Sequence, residues 1–208
     1  GFIVPLIPAT AILLSVTLAA FDLTRLSQRA LLLSNLAIVL LLWLQPIAPK
    51  LTAARTDQAA YVGEIIGRYI DREWPEQSLV ALNTAGSTPY YAPNNIYIDM
   101  LGLNDAHIAR RTITQIRLPA QNLPGHAKGD GAYVLARRPD FIILGVAEGS
   151  LSANPIFLSD LEIAQDPRFA QAYRMRQVAL DVSGLEGYGS YNATRSGTLT
   201  FTYYELVP

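Results

Sequence analysis

The chain has 208 residues, is 50% hydrophobic and has a net charge of −1. A net charge this close to zero argues against nucleic acid as a partner. The sequence contains no cysteine, which excludes disulfides, thiolate nucleophiles and cysteine-ligated metals. The clearest structural signal in the sequence is the distribution of apolar residues along the chain.

Two almost wholly apolar segments lie near the amino terminus, at residues 2–21 and 30–48. Each has roughly the 20 residues that an α-helix needs to cross a bilayer. We therefore predict a transmembrane helix hairpin over residues 1–48, with the lipid bilayer as a partner. Because the chain begins with Gly1 inside the first apolar segment, we expect either the end of a longer polypeptide or a processed subunit.

The short loop between the two apolar segments sets the predicted orientation. It carries Arg25 and Arg29 against one acidic residue, Asp22. Because cytoplasmic loops are enriched in basic residues, this loop is predicted to lie in the cytoplasm. Residues 49–208 are then predicted to form a soluble extracytoplasmic domain.

Helical and strand-like patterns alternate along residues 49–208, as they do in α/β domains. Apolar positions at helical spacing predict an amphipathic helix that begins at residues 56–57 and ends before Pro75. Short apolar runs then predict three strands, with a turn-rich segment after the first strand and two short helices before the third. The strands are residues 78–83, 96–101 and 138–146, the turn-rich segment is 84–93, and the helices are 104–111 and 131–138.

The carboxy-terminal part of the chain contains both helical and strand-like patterns. Residues 159–174 are predicted to be helical in pieces, because Pro167 interrupts them. Residues 176–183 and 197–208 are predicted to pair as a closing antiparallel β-hairpin. The complete predicted fold class is two transmembrane α-helices followed by a small three-layer α/β domain with a C-terminal antiparallel β-hairpin.

A polar segment after the second predicted strand is the first candidate for a binding site. Asp99 and Asp105 are separated by a Gly-Leu turn, so they need not share a face as a catalytic acid and base would. In the simpler, structural interpretation the strand ends at Asp99, Gly102 permits the turn and Asp105 caps the next helix, with an arginine returning to neutralise the carboxylates. The candidate ligand-binding residues are Asp99, Asn104, Asp105 and Arg110.

A second polar segment, "NLPGHAKGDGAYVLARR", covers residues 122–138. Its His126 and Lys128 are candidates for binding a phosphate or a sugar hydroxyl, whereas the Gly-Asp-Gly that follows fits a turn into the next helix. His107 and His126 lie near several aspartates, but they lack the spacing typical of a metal site, so neither a metal nor a cofactor is predicted. Because dinucleotide-binding and nucleophile-elbow motifs are also missing, no catalytic residue is assigned.

Three segments resemble the carboxy-terminal extracytoplasmic domain of bacterial glycosyltransferases of the GT-C type, such as terminal β-(1→2)-arabinofuranosyltransferases. They are "YIDMLGLNDAHIARR", "GHAK" and "YVLARRPDFIIL", and the opening "FIVPLIPATAILL" is similar to the last membrane segments of that family. The resemblance implies sugar transfer from a polyprenyl-phosphate donor to an envelope acceptor, at the bacterial inner membrane and with the carboxy-terminal domain periplasmic. The matching residues are Asp99, Gly102 to Asp105, Ile108 to Arg110 and Gly125 to Lys128.

The resemblance assigns no catalytic residue to this chain, because the catalytic aspartate of the family lies in an early extracytoplasmic loop that this sequence does not contain. The domain is therefore expected to serve acceptor binding or structure in a glycosyltransferase-like protein, with a polyprenyl-phosphate sugar or an envelope glycan as ligand. Tyr90, Tyr91, Tyr188 and Tyr191 would then be candidate sugar platforms. The alternative is a non-catalytic accessory or scaffolding subunit of a larger bacterial membrane complex.

Overall fold

The chain divides into two compact units, Gly1–Arg55 and Thr56–Pro208. The computed structural model describes residues 12, 33, 36–40, 58–183 and 197–207. The described positions of the first unit are helical. The helices of the second unit are α1 (Gln58–Glu73), α2 (Ser87–Tyr91), α3 (Ala106–Arg110), a 3₁₀ helix (Pro119–Asn122), α4 (Gly131–Ala136), α5 (Leu158–Gln165) and α6 (Pro167–Ala172). Its strands are β1 (Leu79–Leu82), β2 (Ile96–Asp99), β3 (Phe141–Ile143), β4 (Tyr173–Asp181) and β5 (Thr198–Leu206).

The predicted fold class has to be corrected in its first part, the pair of transmembrane helices. Within the described residues, no helix has both the length and the apolar character needed to cross a membrane. Of the predicted segments 2–21 and 30–48, all but residues 12, 33 and 36–40 lie outside the described residues. An apolar run is necessary for a spanning helix but is not sufficient, since the run must also form one long continuous helix. The architecture that the structure describes is an α/β domain.

The five strands of this domain form one mixed sheet in the order β2-β1-β3-β5-β4. β1 pairs in parallel with β2 on one side and with β3 on the other. β5 pairs antiparallel with β3, with Phe141 opposite Glu205, and β4 pairs antiparallel with β5 over its whole length. The carboxy-terminal antiparallel pair therefore extends the parallel strands into a single sheet instead of forming a separate appendage.

Each face of the sheet buries its own core, because alternate residues of a strand point to opposite faces. Val80 and Leu82 of β1 pack in one cluster with Ile66 and Ile70 of α1. Ala81, which lies between them, packs in the other cluster together with residues of α3, α4, α5 and α6. The domain therefore has three layers, with α1 on one face of the sheet and the helices α3 to α6 on the other.

The short helix α2 packs closely against α1. A Cβ at Gly67 would lie 2.6 Å from the Thr88 carbonyl oxygen, and a Cβ at Gly63 would lie 2.8 Å from the Ser87 Cβ. Glycine at these two positions therefore permits the close approach of the two helices. The interpretation of residues 84–93 as a turn missed α2, because five residues are too few to show a helical period.

A buried polar network joins the start of α5 to the carboxyl ends of β1 and β3. Asp160 is 0% exposed, and its Oδ1 accepts a hydrogen bond from Asn83 Nδ2 at 2.9 Å. Its Oδ2 accepts hydrogen bonds from the backbone N–H groups of Gly145, Ile156 and Phe157 at 3.1, 3.2 and 2.9 Å. Burial raises the pKa of Asp160, and the four donors oppose this shift by favouring the carboxylate. The network fixes α5, whose next turn supports the candidate site.

Candidate functional site

An open cleft of about 540 Å³ lies between α3 and the amino-terminal end of α4, and we call it the α3–α4 cleft. α3 is anchored on the sheet by Ile108, which is 0% exposed. The charged side chains of α3 are therefore left on the outer side of the helix. The cleft is lined by Ala106, His107, Arg110, Arg111 and Asp130.

Asp99 holds the turn that leads from β2 toward α3. Its carboxylate is buried, and it accepts hydrogen bonds from the backbone N–H groups of Leu101 at 3.0 Å and Asn104 at 2.6 Å. Gly102 has φ +74°, and a Cβ there would lie 2.8 Å from the Ala109 amide nitrogen. This turn therefore needs glycine in its left-handed position and a carboxylate at its centre. Asp99 does not line the α3–α4 cleft.

Asp105 is the N-cap of α3. Its Oδ1 accepts hydrogen bonds from the backbone N–H groups of His107 and Ile108 at 2.9 and 3.0 Å. Its Oδ2 accepts a hydrogen bond from the Tyr133 hydroxyl of α4 at 3.2 Å. Asp105 thus starts one helix and ties it to the next, which positions the two walls of the cleft.

Removing either of these carboxylates is expected to destabilise the domain. We expect Asp105→Ala to lower the free energy of unfolding by about 1 kcal/mol, the usual effect of losing an N-cap. Asp99→Ala should lower it at least as much, since two N–H groups of a partly buried turn lose their acceptor. Urea unfolding of both variants is the measurement. Unchanged unfolding together with a loss of glycan binding would contradict the structural role.

Asp130, His107 and Tyr133 form an acidic and aromatic corner of the cleft. Asp130 caps α4 by accepting a hydrogen bond from the Tyr133 backbone N–H at 3.0 Å, and its Oδ2 lies 3.3 Å from His107 Nε2. The His107 ring stacks on the Tyr133 ring with 4.0 Å between centroids and 15° between planes. Because the His107 side chain is still 54% exposed, one face of its ring remains open to the cleft.

Arg111 supports the cleft through contacts with neighbouring segments. Its guanidinium makes two hydrogen bonds to the Glu162 carboxylate of α5, at 2.7 and 2.8 Å, and these raise the pKa of Arg111. Arg111 Nη1 also donates to the Gly129 carbonyl oxygen at 2.5 Å. In return, Lys128 Nζ donates to the Arg111 carbonyl oxygen at 2.6 Å. Arg111 and Lys128 are therefore held in place by protein groups.

Arg110 differs from its neighbour because its guanidinium is exposed. Among the described residues it has no hydrogen-bond or ion-pair partner. The positive charge of Arg111 is balanced by Glu162, whereas that of Arg110 is left for a ligand or for solvent. The cleft thus offers a carboxylate, an open aromatic face and one unpaired guanidinium.

The structure places the remaining candidates of the polar segments outside the cleft lining. His126 stacks on Phe157 at 5.6 Å between ring centroids, and its Nδ1 lies 2.8 Å from the Pro124 carbonyl oxygen. Asn104 is exposed, and its backbone N–H donates a hydrogen bond to the Asp99 carboxylate within the turn. Of the ligand-binding residues proposed from the sequence, Arg110 therefore lines the cleft, and Asp105 lies beside it as the N-cap of α3.

Tyr90 and Tyr91 lie on α2, which packs on α1 and therefore belongs to the layer on the opposite face of the sheet. Tyr90 is 76% exposed. The Tyr91 ring lies under the Arg68 guanidinium at 4.8 Å, and a hydrogen bond to Glu64 raises the pKa of its hydroxyl. These two tyrosines therefore form a separate surface from the cleft. The other two candidate platforms, Tyr188 and Tyr191, lie outside the described residues.

Three residues that line the cleft were not selected as ligand-binding candidates from the sequence, namely His107, Arg111 and Asp130, and neither was Tyr133, which stacks on His107. Asp130 carried a signal, since an aspartate just before a helical segment is a typical N-cap, and two such caps here begin neighbouring helices. The stacking of His107 on Tyr133 depends on tertiary packing and has no local signal. In the part of the chain that the structure describes, no group of three or more His, Asp or Glu residues is arranged to hold a metal ion.

Comparison with known proteins gives one match. The family model described as a domain of unknown function, DUF8728, matches residues 51–198, which is more than half of the chain. No curated protein and no solved structure matches the chain.

Proposed function

The chain belongs to the DUF8728 family, and we propose that its α/β domain is a non-catalytic binding domain for an acceptor glycan in a glycosyltransferase-like protein of the bacterial cell envelope. One observation carries the proposal. The open face of His107, backed by Tyr133, lines the same cleft as the Asp130 carboxylate and the unpaired guanidinium of Arg110. The resemblance of the same segment to GT-C glycosyltransferases supplies the class of ligand.

The lining of the cleft matches the chemistry of a sugar. The C–H face of a sugar ring packs on an aromatic face, as His107 offers here with Tyr133 behind it. A carboxylate such as Asp130 accepts hydrogen bonds from sugar hydroxyls, and a guanidinium such as Arg110 donates to them. The volume of about 540 Å³ is within the usual range for small-molecule sites.

Binding is favoured over catalysis because the carboxylates near the cleft are already engaged in the fold. Asp99 and Asp105 accept backbone hydrogen bonds, and Glu162 holds Arg111. Asp130, the one carboxylate of the described lining, caps α4 and contacts His107. A transfer reaction would also require a donor site beside the acceptor, and we assign the cleft to the acceptor.

The Arg110→Ala variant tests this proposal. We expect it to bind an arabinan oligosaccharide at least about tenfold more weakly than the unmodified chain, in line with losing one charged hydrogen-bond partner. Its melting temperature should not change, since Arg110 has no partner among the described residues. The measurement is isothermal titration calorimetry, with mannan and galactan oligosaccharides as further arms because the sequence does not specify the sugar.

Arg72→Ala is the matched control, because it removes an exposed arginine at the end of α1, on the opposite layer. Equal glycan affinity in the Arg110 and Arg72 variants would refute the assignment to this cleft. Failure of the unmodified chain to bind any of the three oligosaccharides would refute the proposed ligand class.

One observation favours the second candidate function, a non-catalytic subunit that docks on a larger complex. Leu103, Ile116 and Leu123 are 64%, 56% and 56% exposed. A Cβ at Gly125 would lie 3.5 Å from Leu103 Cδ2, so the turn after Leu123 lies beside Leu103. Exposed apolar side chains grouped on loops are typical of protein contact surfaces. Native electrophoresis of the protein as its host produces it separates the two functions, since a subunit would migrate with stoichiometric partners.

A further inference from the structure

A second pocket lies at the other end of α4, and we call it the arginine pocket. It has a volume of about 380 Å³ and is formed by the end of α4, by α6 and by the neighbouring ends of β4 and β5. Two arginines and an amide supply its polar groups, and aliphatic and aromatic side chains supply the rest. Its principal lining residues are Leu135, Arg138, Arg168, Gln171, Tyr173 and Leu206.

Arg138 is held in this pocket in an unfavourable backbone conformation. Its φ is +49°, in the left-handed region that glycine ordinarily occupies just after a helix. The Arg138 N–H closes the end of α4 by donating to the Leu135 carbonyl oxygen at 3.1 Å. A glycine would make the same hydrogen bond without the steric penalty of a Cβ. The backbone conformation therefore gives no reason for an arginine at position 138.

The Arg138 guanidinium is exposed and has no hydrogen-bond or ion-pair partner among the described residues. Arg168 is different, because its Nε and Nη2 donate to the Asp166 carboxylate at 3.0 and 2.6 Å. The N–H groups on Arg168 Nη1 take no part in these hydrogen bonds and can still donate to a ligand. The pocket therefore has one uncompensated positive charge and a second guanidinium that can still donate.

The other polar groups near the pocket are engaged in the fold. Asp140, whose charge reaches Tyr173 as that of Arg138 does, accepts a hydrogen bond from the Leu79 N–H at 2.7 Å. The Tyr173 hydroxyl donates to the Pro139 carbonyl oxygen at 2.8 Å, and burial raises its pKa to about 12, so the ring contributes apolar surface only. No carboxylate lines the pocket within the described chain. Leu135, Tyr173 and Leu206 give the pocket an apolar floor.

We propose that the arginine pocket binds a carboxylate attached to a small apolar group. The planar fork of a guanidinium matches the two oxygens of a carboxylate, and the single uncompensated charge matches a monoanion better than a dianion. The apolar floor would receive the rest of the ligand. This site is independent of the glycan proposal, since it uses other residues and another ligand class.

Phenylacetate is the probe, and 2-phenylacetamide is its neutral counterpart of nearly the same shape. In NMR titrations of the full chain, we expect phenylacetate to shift the methyl signals of Leu135 and Leu206, with a dissociation constant on the order of millimolar as for other fragments. The amide should bind at least about tenfold more weakly, because it lacks the charge that Arg138 compensates.

Arg138→Gly separates a ligand-binding role from a structural one. The variant should lose at least about tenfold in phenylacetate affinity while melting at the same temperature or higher, because glycine relieves the left-handed backbone. Arg176→Gln is the control, since it removes an exposed arginine from β4 that pairs with Glu205 and does not line the pocket. It should leave phenylacetate binding unchanged.

Three results would overturn the proposal. They are full phenylacetate affinity in Arg138→Gly, equal binding of the acid and the amide, and no binding of phenylacetate to the unmodified chain. Tighter binding of phenyl phosphate than of phenylacetate would overturn the assignment to a monoanion.

Discussion

Replacing Gly149 by alanine is expected to lower the free energy of unfolding by about 3 kcal/mol, the combined effect of a left-handed backbone and of overpacking. Gly149 has φ +79°, and a Cβ there would lie far closer to the Thr202 carbonyl oxygen than van der Waals contact allows. Because the neighbouring atom belongs to the backbone of β5, it cannot rotate away as a side chain could.

The same substitution would also disturb the attachment of the segment between β3 and α5. The Thr202 N–H donates to the Glu148 carbonyl oxygen at 2.8 Å, and the Ser152 N–H donates to the Tyr204 hydroxyl at 2.7 Å. Urea unfolding measures the change. Gly86→Ala is the control, because position 86 has φ −104° and nothing lies within 4 Å of an added Cβ. Equal stability of the two variants would contradict the packing described for Gly149.

Asp160→Ala is expected to lower the free energy of unfolding by about 3 kcal/mol, since it removes the acceptor of four hydrogen bonds in a buried site. The N–H groups of Gly145, Ile156 and Phe157 would be left without this partner. Asp71→Ala, at an exposed position of α1, is the control and should change stability by about 0.5 kcal/mol at most. An equal effect of the two substitutions in urea unfolding would contradict the role of the network.

The pH dependence of unfolding provides an independent test of the same residue. Burial raises the pKa of folded Asp160 above its ordinary value of 3.8, so the folded chain binds the proton more tightly than the unfolded chain. The stability contributed by this proton is complete below pH 3.8 and is lost as the pH rises through the raised pKa. Asp160→Asn should remove this decrease. A pH profile identical to that of the unmodified chain would contradict the raised pKa.

Local patterns in the sequence predicted the elements whose signals lie within a few residues. The segments 78–83, 96–101 and 138–146 contain β1, β2 and β3, and the run 197–208 contains β5. The run 176–183 overlaps β4, which begins earlier, at Tyr173, inside the segment predicted to be helical. Asp105 was expected to cap α3, and it does. Caps and apolar runs are readable because they act over one helical turn or one short strand.

Features that depend on distant residues could not be predicted in this way. Asn83 and Asp160 are 77 positions apart, so their hydrogen bond leaves no local pattern. α2 packs on α1 through the close approach that Gly63 and Gly67 permit, and its own five residues show no period. Long apolar runs led to the prediction of transmembrane helices, which the described structure does not contain.

In the candidate site too, residues with a local signal could be predicted from the sequence and contacts between distant residues could not. Asp105 and Arg110 were selected from a polar segment; Arg110 lines the cleft, and Asp105 caps the helix that forms one of its walls. Tyr90 and Tyr91 were grouped with them by residue type, but the fold puts them on the opposite layer. His107 and Tyr133 are brought together by packing between α3 and α4. Residue type alone therefore indicated candidate chemistry, whereas the fold decided which candidates are neighbours.

The most direct test of glycan binding at the α3–α4 cleft is an amide NMR titration of the full chain with an arabinan oligosaccharide. We predict chemical-shift changes concentrated at residues 105–111 and 129–133, which form the two walls of the cleft. Changes confined to the α2 surface around Tyr90 and Tyr91, or no changes at all, would contradict the assignment of the cleft.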